Sequence, residues 1–191
     1  IYAEKADSGR ITGWFTEYGH SHIFQDLVIG HYSEREINLG NYQYTTGAGK
    51  HQQTHTLTVC KILFPYSVPH LYLNCHAGVG SLDFSHPRGL ELITLPDEIG
   101  KKWHLLAQDD FQIEALQIFN PTILAEVNER WRGFELEYKD KEVYVISEHI
   151  INTKDELERF FNLIKYVIDT TDPILKRIEG STKAIKEQRK S

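Results

Sequence analysis

Between Asn38 and Leu63 polar and apolar residues alternate with a period of two. Tyr42 and Tyr44 flank Gln43 on the way in, and His55, Leu57 and Val59 alternate with Thr54, Thr56 and Thr58 on the way out. Successive side chains on a strand point to opposite faces, and aromatic and β-branched residues suit that pleated surface. The pattern predicts a hairpin. Its tip is the glycine-rich stretch from Thr46 to Gln52, where Gly47 and Gly49 can supply positive φ angles. Phe64-Pro65 and Val68-Pro69 come next. Proline has no N–H to give a ladder, so the strand is expected to end near Phe64. A further short strand, His70 to Asn74, would place Leu71 and Leu73 on one face.

The second half changes period. Gly78 to Gly100 reads as short strands and turns, with Leu90-Glu91-Leu92-Ile93 among them, and Trp103 to Ala107 as a strand. Asp109 or Asp110 can cap a short helix reaching about Ile118. Asn120 followed by Pro121 starts another helix, with Ile123, Leu124, Val127 and Trp131 on one face and Gly133 as its left-handed stop. Phe134 to Ser147 reads as a second hairpin turning at Lys139-Asp140-Lys141. Thr153 and Glu156 form a capping box, and Leu157, Phe160, Phe161, Ile164, Val167 and Ile168 follow at helical spacing. Asp172-Pro173 is expected to restart a helix carrying Ile174, Leu175 and Ile178. From Gly180 the chain is polar and mildly basic, and weak or frayed helix is expected. The fold class these periods imply is α+β: an antiparallel sheet with two main amphipathic helices and a strand-rich first half. One domain would span 1–179, with a possible sub-division near 80–100, and 180–191 would be a tail.

Composition narrows the function classes. The chain has 191 residues, 40% hydrophobic and 25% charged, which describes a folded chain and excludes a disordered one. Net charge is −6, the wrong sign for neutralising nucleic-acid phosphates. No run approaches the ~20 apolar residues that span a bilayer. The chain starts at Ile1 and contains no Met, as expected of a piece of a longer or processed protein. Cys60 and Cys75 are no disulfide framework; two independent buried thiols are expected.

The ten histidines are the main candidate for chemistry. His20 and His22 share a strand face at positions i and i+2, so both could meet one metal. They are weak candidates, because neither His-Glu-x-x-His nor paired Cys-x-x-Cys accompanies them. No cofactor is expected. Thr46-Gly47-Ala48-Gly49-Lys50 suggests a phosphate loop, but the glycines are two apart and a strand follows where a helix is needed. The tip therefore reads as a structural turn, with no nucleotide. No nucleophile signature appears, and Asp109-Asp110 reads as a helix cap rather than a catalytic pair. The aromatic residues crowding the first half, Trp14 to Tyr72, supply core, and any left exposed would form an interaction surface.

Asn41-Tyr42-Gln43-Tyr44-Thr45-Thr46-Gly47-Ala48-Gly49-Lys50, with Thr54, Thr56, Thr58 and Val59 beyond it, resembles a group of bacterial domains of unknown function. They share a tyrosine-rich strand, a Thr-Gly-x-Gly-Lys turn and a Thr-x-Thr-Val strand. The likeness extends over roughly Val28 to Ile168. It implies a membrane anchor in a segment before Ile1, and no catalytic residue. The expected function is a non-enzymatic interaction or structural module of a membrane-associated bacterial protein, with a protein or membrane-proximal partner. A metal-binding domain or metal-dependent enzyme using the histidines, and a lipid-headgroup or peptide-binding domain, are the alternatives.

Overall fold

The computed structural model describes residues 11–75, 89–147 and 149–188. Among the described residues six strands form one antiparallel sheet: β1 (His20–Tyr32), β2 (Arg35–Thr46), β3 (Gln53–Cys75), β4 (Glu91–Ile93), β5 (Trp103–Ala107) and β6 (Phe134–Ser147). Four α-helices accompany it among the described residues: α1 (Asp97–Gly100), α2 (Gln112–Ile118), α3 (Pro121–Arg130) and α4 (Lys154–Gln188). The α+β class with an antiparallel sheet is as the periods imply. The 78–88 part of the expected strands and turns lies outside the described residues.

β3 is the spine. It pairs with β2 over Gln53 to Ile62, with β5 over Leu71 to Cys75, and with β6 along most of its length. The expected end of the strand near Phe64 is thus corrected. Pro65 and Pro69 fall where the β3–β6 register shifts, between Leu63 and Leu71, so neither breaks a regular ladder. The irregularity also re-phases the strand. Cys60, Ile62 and Phe64 face one core before it, and Leu71, Leu73 and Cys75 face the same core after it.

β6 re-phases at the same level. Phe134, Leu136 and Tyr138 join that core, as do Val143 and Val145, and the parity changes around Asp140, whose φ is +55°. The segment expected to be a second hairpin is therefore one strand with a bulge. Its two halves pair with β3 and not with each other.

The sheet has a core on each face. On one, α2, α3 and α4 bury Ala115, Ile118, Leu124, Val127, Phe160, Leu163 and Ile164 against β3, β5 and β6. On the other, Tyr42, Tyr44, Leu57, Val59, Tyr72 and Tyr144 lie beneath Ile11, Trp14 and Phe15. Cys60 and Cys75 are free, buried and on the one strand, too far apart to bridge.

Helix starts show which caps the sequence encodes. The Asn120 side chain accepts from Thr122 N at 3.1 Å and Ile123 N at 3.2 Å, and Pro121 follows as the first helical residue. Gly133 has φ +88°, two residues beyond the Trp131 C-cap. The Thr153 hydroxyl accepts from Glu156 N and donates to its carboxylate. Asp109 and Asp110 cap nothing with their side chains; they sit in a single 3-10 turn, and α2 starts without a side-chain cap.

α4 passes through Pro173 unbroken, which corrects the expected restart, and its backbone runs to Gln188. Proline cannot donate to the carbonyl four residues back. Tertiary bonds hold the helix at this point. Asp172 takes Arg35 at 2.6 Å, Asp169 takes the Tyr32 hydroxyl at 3.0 Å, and Thr171 meets the Tyr138 hydroxyl at 3.0 Å.

Candidate functional site: an apolar cleft between the first hairpin and the long helix

The bonds from α4 to Tyr32 and Arg35 set the helix beside the β1–β2 hairpin without closing the space between them. A cleft of about 210 Å³ remains, lined by Val28, Gly30, Tyr32, Leu39, Phe161 and Ile164, with His31 and Lys165 also on its wall. β1 is bulged, with positive φ at Ser21 and Asp26 and a register shift between Gln25 and Val28. The Asp26 bulge turns Leu27 toward the same core as Phe24 and turns Val28 toward the cleft. Gly30 adds no side chain, and a Cβ built there meets nothing within 4 Å, so the wall is recessed at that point.

On the opposite wall Phe161 is 37% exposed, while Phe160 is fully buried against Phe134; Leu157, one turn earlier and outside the cleft lining, is 38% exposed. Phe161 and Leu157, expected on the buried face of this helix, therefore belong to its outer edge. The buried stripe of α4 runs through Phe160, Leu163, Ile164, Val167 and Ile168, and Phe161, ~100° round from Phe160, falls at its margin. That spacing was the available signal. Nothing in the alternation of β1 marked Val28, and Lys165 looked like any solvated lysine. The Lys165 ammonium sits 5.9 Å from the Tyr32 ring centroid.

His20 and His22 do not converge on a site of this kind. His20 bonds Ser21 Oγ at 2.9 Å and the Gly47 carbonyl at 3.1 Å. His22 bonds the Tyr42 hydroxyl at 2.6 Å and stacks on its ring. Among the described residues no three His, Cys, Asp or Glu side chains are placed to hold a metal ion. The Thr46–Gln53 tip is a tight turn containing one 3-10 turn, with Lys50 exposed and no helix behind it.

A cluster of titratable groups that the sequence did not flag lies on the other face, away from the cleft. The fully buried Glu137 carboxylate accepts from Trp14 N at 2.9 and 3.0 Å and meets His70 Nε2 at 3.0 Å. Burial raises its pKa above the usual carboxylate range, and His70, Trp14 N–H and Lys139 oppose that rise. Tyr72 donates to Glu135 at 2.5 Å. Desolvation likewise pushes the Tyr42, Tyr44 and Tyr144 hydroxyls far up. The cluster is roofed by Trp14, so it fastens the chain's first described segment to the sheet.

No family model and no curated protein matches this sequence. A solved structure shares its fold. It is that of the mycobacterial trehalose monomycolate transport factor A, TtfA, similar over 92% of this chain and 85% of that one, with a TM-score of 0.60 and 9% identity. At that identity the likeness concerns the fold. No helix among the described residues is long and apolar enough to cross a membrane.

Proposed function

We propose that this chain is a non-enzymatic interaction module of a membrane-associated bacterial protein that works in lipid transport. It engages its apolar partner through the cleft between the β1–β2 hairpin and α4. The observation that carries this reading is the cleft itself. Phe161 and Val28 stay exposed at a recessed, apolar-walled place, although the same helix buries Phe160, Leu163 and Ile164 fully. Apolar area left out of a core in this way marks a contact site. Two further points support it. The fold is shared with a protein named as a trehalose monomycolate transport factor. The Tyr-x-Tyr-Thr-Thr-Gly-x-Gly-Lys hairpin resembles that of bacterial domains attached to membrane helices. Glu137, Tyr42, Tyr44 and Tyr144 lie away from the cleft, whose own polar groups are the Tyr32 hydroxyl, its pKa raised by its bond to Asp169, and the His31 and Lys165 side chains.

The test uses N-phenyl-1-naphthylamine, a dye that fluoresces in apolar surroundings. The parent is expected to bind it. Phe161→Asp and Leu39→Asp are expected to lose the signal while keeping the parent's far-UV circular dichroism. Dye binding that survives both substitutions would remove the cleft from the function.

A further inference from the structure

We infer that the cleft takes the hydrocarbon tail of a single-chain fatty carboxylate, with Lys165 holding the headgroup at its mouth. The inference rests on the proposed docking role of the cleft and names its occupant from size and charge. About 210 Å³ lies below the roughly 300 Å³ at which compact small-molecule pockets begin. That space suits one chain and not the two chains of a diacyl lipid. The lining is apolar apart from the Tyr32 hydroxyl and two nitrogenous side chains, His31 and Lys165, and among the described residues it contains no carboxylate.

Two carboxylates lie near the cleft without lining it. Asp169 takes the Tyr32 hydroxyl at 3.0 Å, and Glu36 takes the Asn38 amide at 2.8 Å. The Lys165 ammonium lies over the face of the Tyr32 ring, and that ring also lines the cleft. A cation held by a ring at the edge of an apolar trough, with no acid on the trough's walls, selects a negative headgroup on an apolar tail. An acidic protein segment could bring the same charge by pairing with the outer edge of β1, the end strand of the sheet, but such pairing would not use the apolar walls of the cleft.

The experiment is calorimetric titration of the full chain with dodecanoate, dodecanol and dodecyltrimethylammonium, each below its micelle-forming concentration. Dodecanoate is expected to bind about tenfold more tightly than dodecanol, the size of one charge-assisted contact. Dodecyltrimethylammonium is expected to bind more weakly than either. Lys165→Ala should bring dodecanoate and dodecanol within about threefold of each other, and Phe161→Asp should abolish both. Equal binding of acid and alcohol by the parent overturns the headgroup assignment, while dye binding in the cleft would still stand. A preference for the acid that survives Lys165→Ala overturns the role of Lys165. Binding of diacyl vesicles in place of dodecanoate, or a dimer abolished by Phe161→Asp with no chain binding, assigns the cleft to a membrane or to a second copy and overturns the proposal.

Discussion

Phe160 and Phe161 are chain neighbours with opposite roles. Phe160 is fully buried, with its ring 5.4 Å from that of Phe134, and Phe161 opens onto the cleft. Phe160→Ala is expected to cost about 3–5 kcal/mol in urea unfolding, because it leaves a cavity. Phe161→Ala should cost less than about 1 kcal/mol, because little packing is lost there. Similar costs for the two would mean that α4 is rotated from the position described. Glu137 makes a second prediction at this scale. A buried carboxyl whose folded pKa is raised binds its proton more tightly folded than unfolded. Its contribution is therefore fullest below the ordinary carboxylate range and declines as pH climbs through the raised value. Glu137→Gln removes that titration, so its stability relative to the parent should rise across the same window. Urea midpoints taken from pH 4 to pH 8 read this out, and a flat difference would mean that His70 fully offsets the burial.

At the scale of elements, the tip of the β2–β3 hairpin separates two glycines that the sequence presents alike. Gly47 has φ +76°, and a Cβ there would lie 2.2 Å from the His51 carbonyl oxygen. Gly49 has φ +57° and open space around it. Gly47→Val is expected to destabilise by clearly more than Gly49→Val, which carries only the strain of about 1–2 kcal/mol of a side chain in that region. Lys50→Ala should move stability by less than about 0.5 kcal/mol. Equal melting points for Gly47→Val and Gly49→Val would contradict the turn geometry. This hairpin, the Asn120-Pro121 start and the Trp103–Ala107 strand were legible because turn, cap and period are local signals. The bulges were not. A parity change at Lys139-Asp140-Lys141 looks the same in sequence whether the chain reverses or kinks, and only pairing with β3 decides between them. Pro65 and Pro69 misled for the same reason, since an irregular stretch inside a long strand tolerates what a regular ladder does not. The cleft was least legible of all, because it is formed where the Asp26 bulge re-aims β1 and tertiary bonds bring in α4.

Across the whole molecule, one sheet supports two cores, and they are covered by different means. The helical face is roofed by α2, α3 and α4. Among the described residues the opposite face is roofed by a short strap, from Ile11 to Glu17, whose buried anchors are Ile11, Trp14 and Phe15. So short a segment has few backbone bonds of its own, and β6 supplies them. Glu137 takes Trp14 N, the Tyr144 hydroxyl takes Thr12 N at 2.9 Å, Glu142 takes the Thr12 hydroxyl at 2.6 Å, and Lys139 donates to the Thr12 carbonyl at 3.0 Å. β6 faces both cores through alternate residues, so loosening the strap should be felt in the helical core as well. Phe15 meets Tyr42 and Tyr144 edge-on at 5.0 and 5.6 Å and is 1% exposed. Phe15→Ala is therefore expected to cost about 3–5 kcal/mol, the range for deleting a buried ring. It should lower the thermal midpoint in one transition seen alike by tryptophan fluorescence and far-UV circular dichroism, because a sheet shared by both cores unfolds as a unit. A change below about 1 kcal/mol would show the strap to be a loose cover. Two separated transitions would show that the two faces of the sheet are independent.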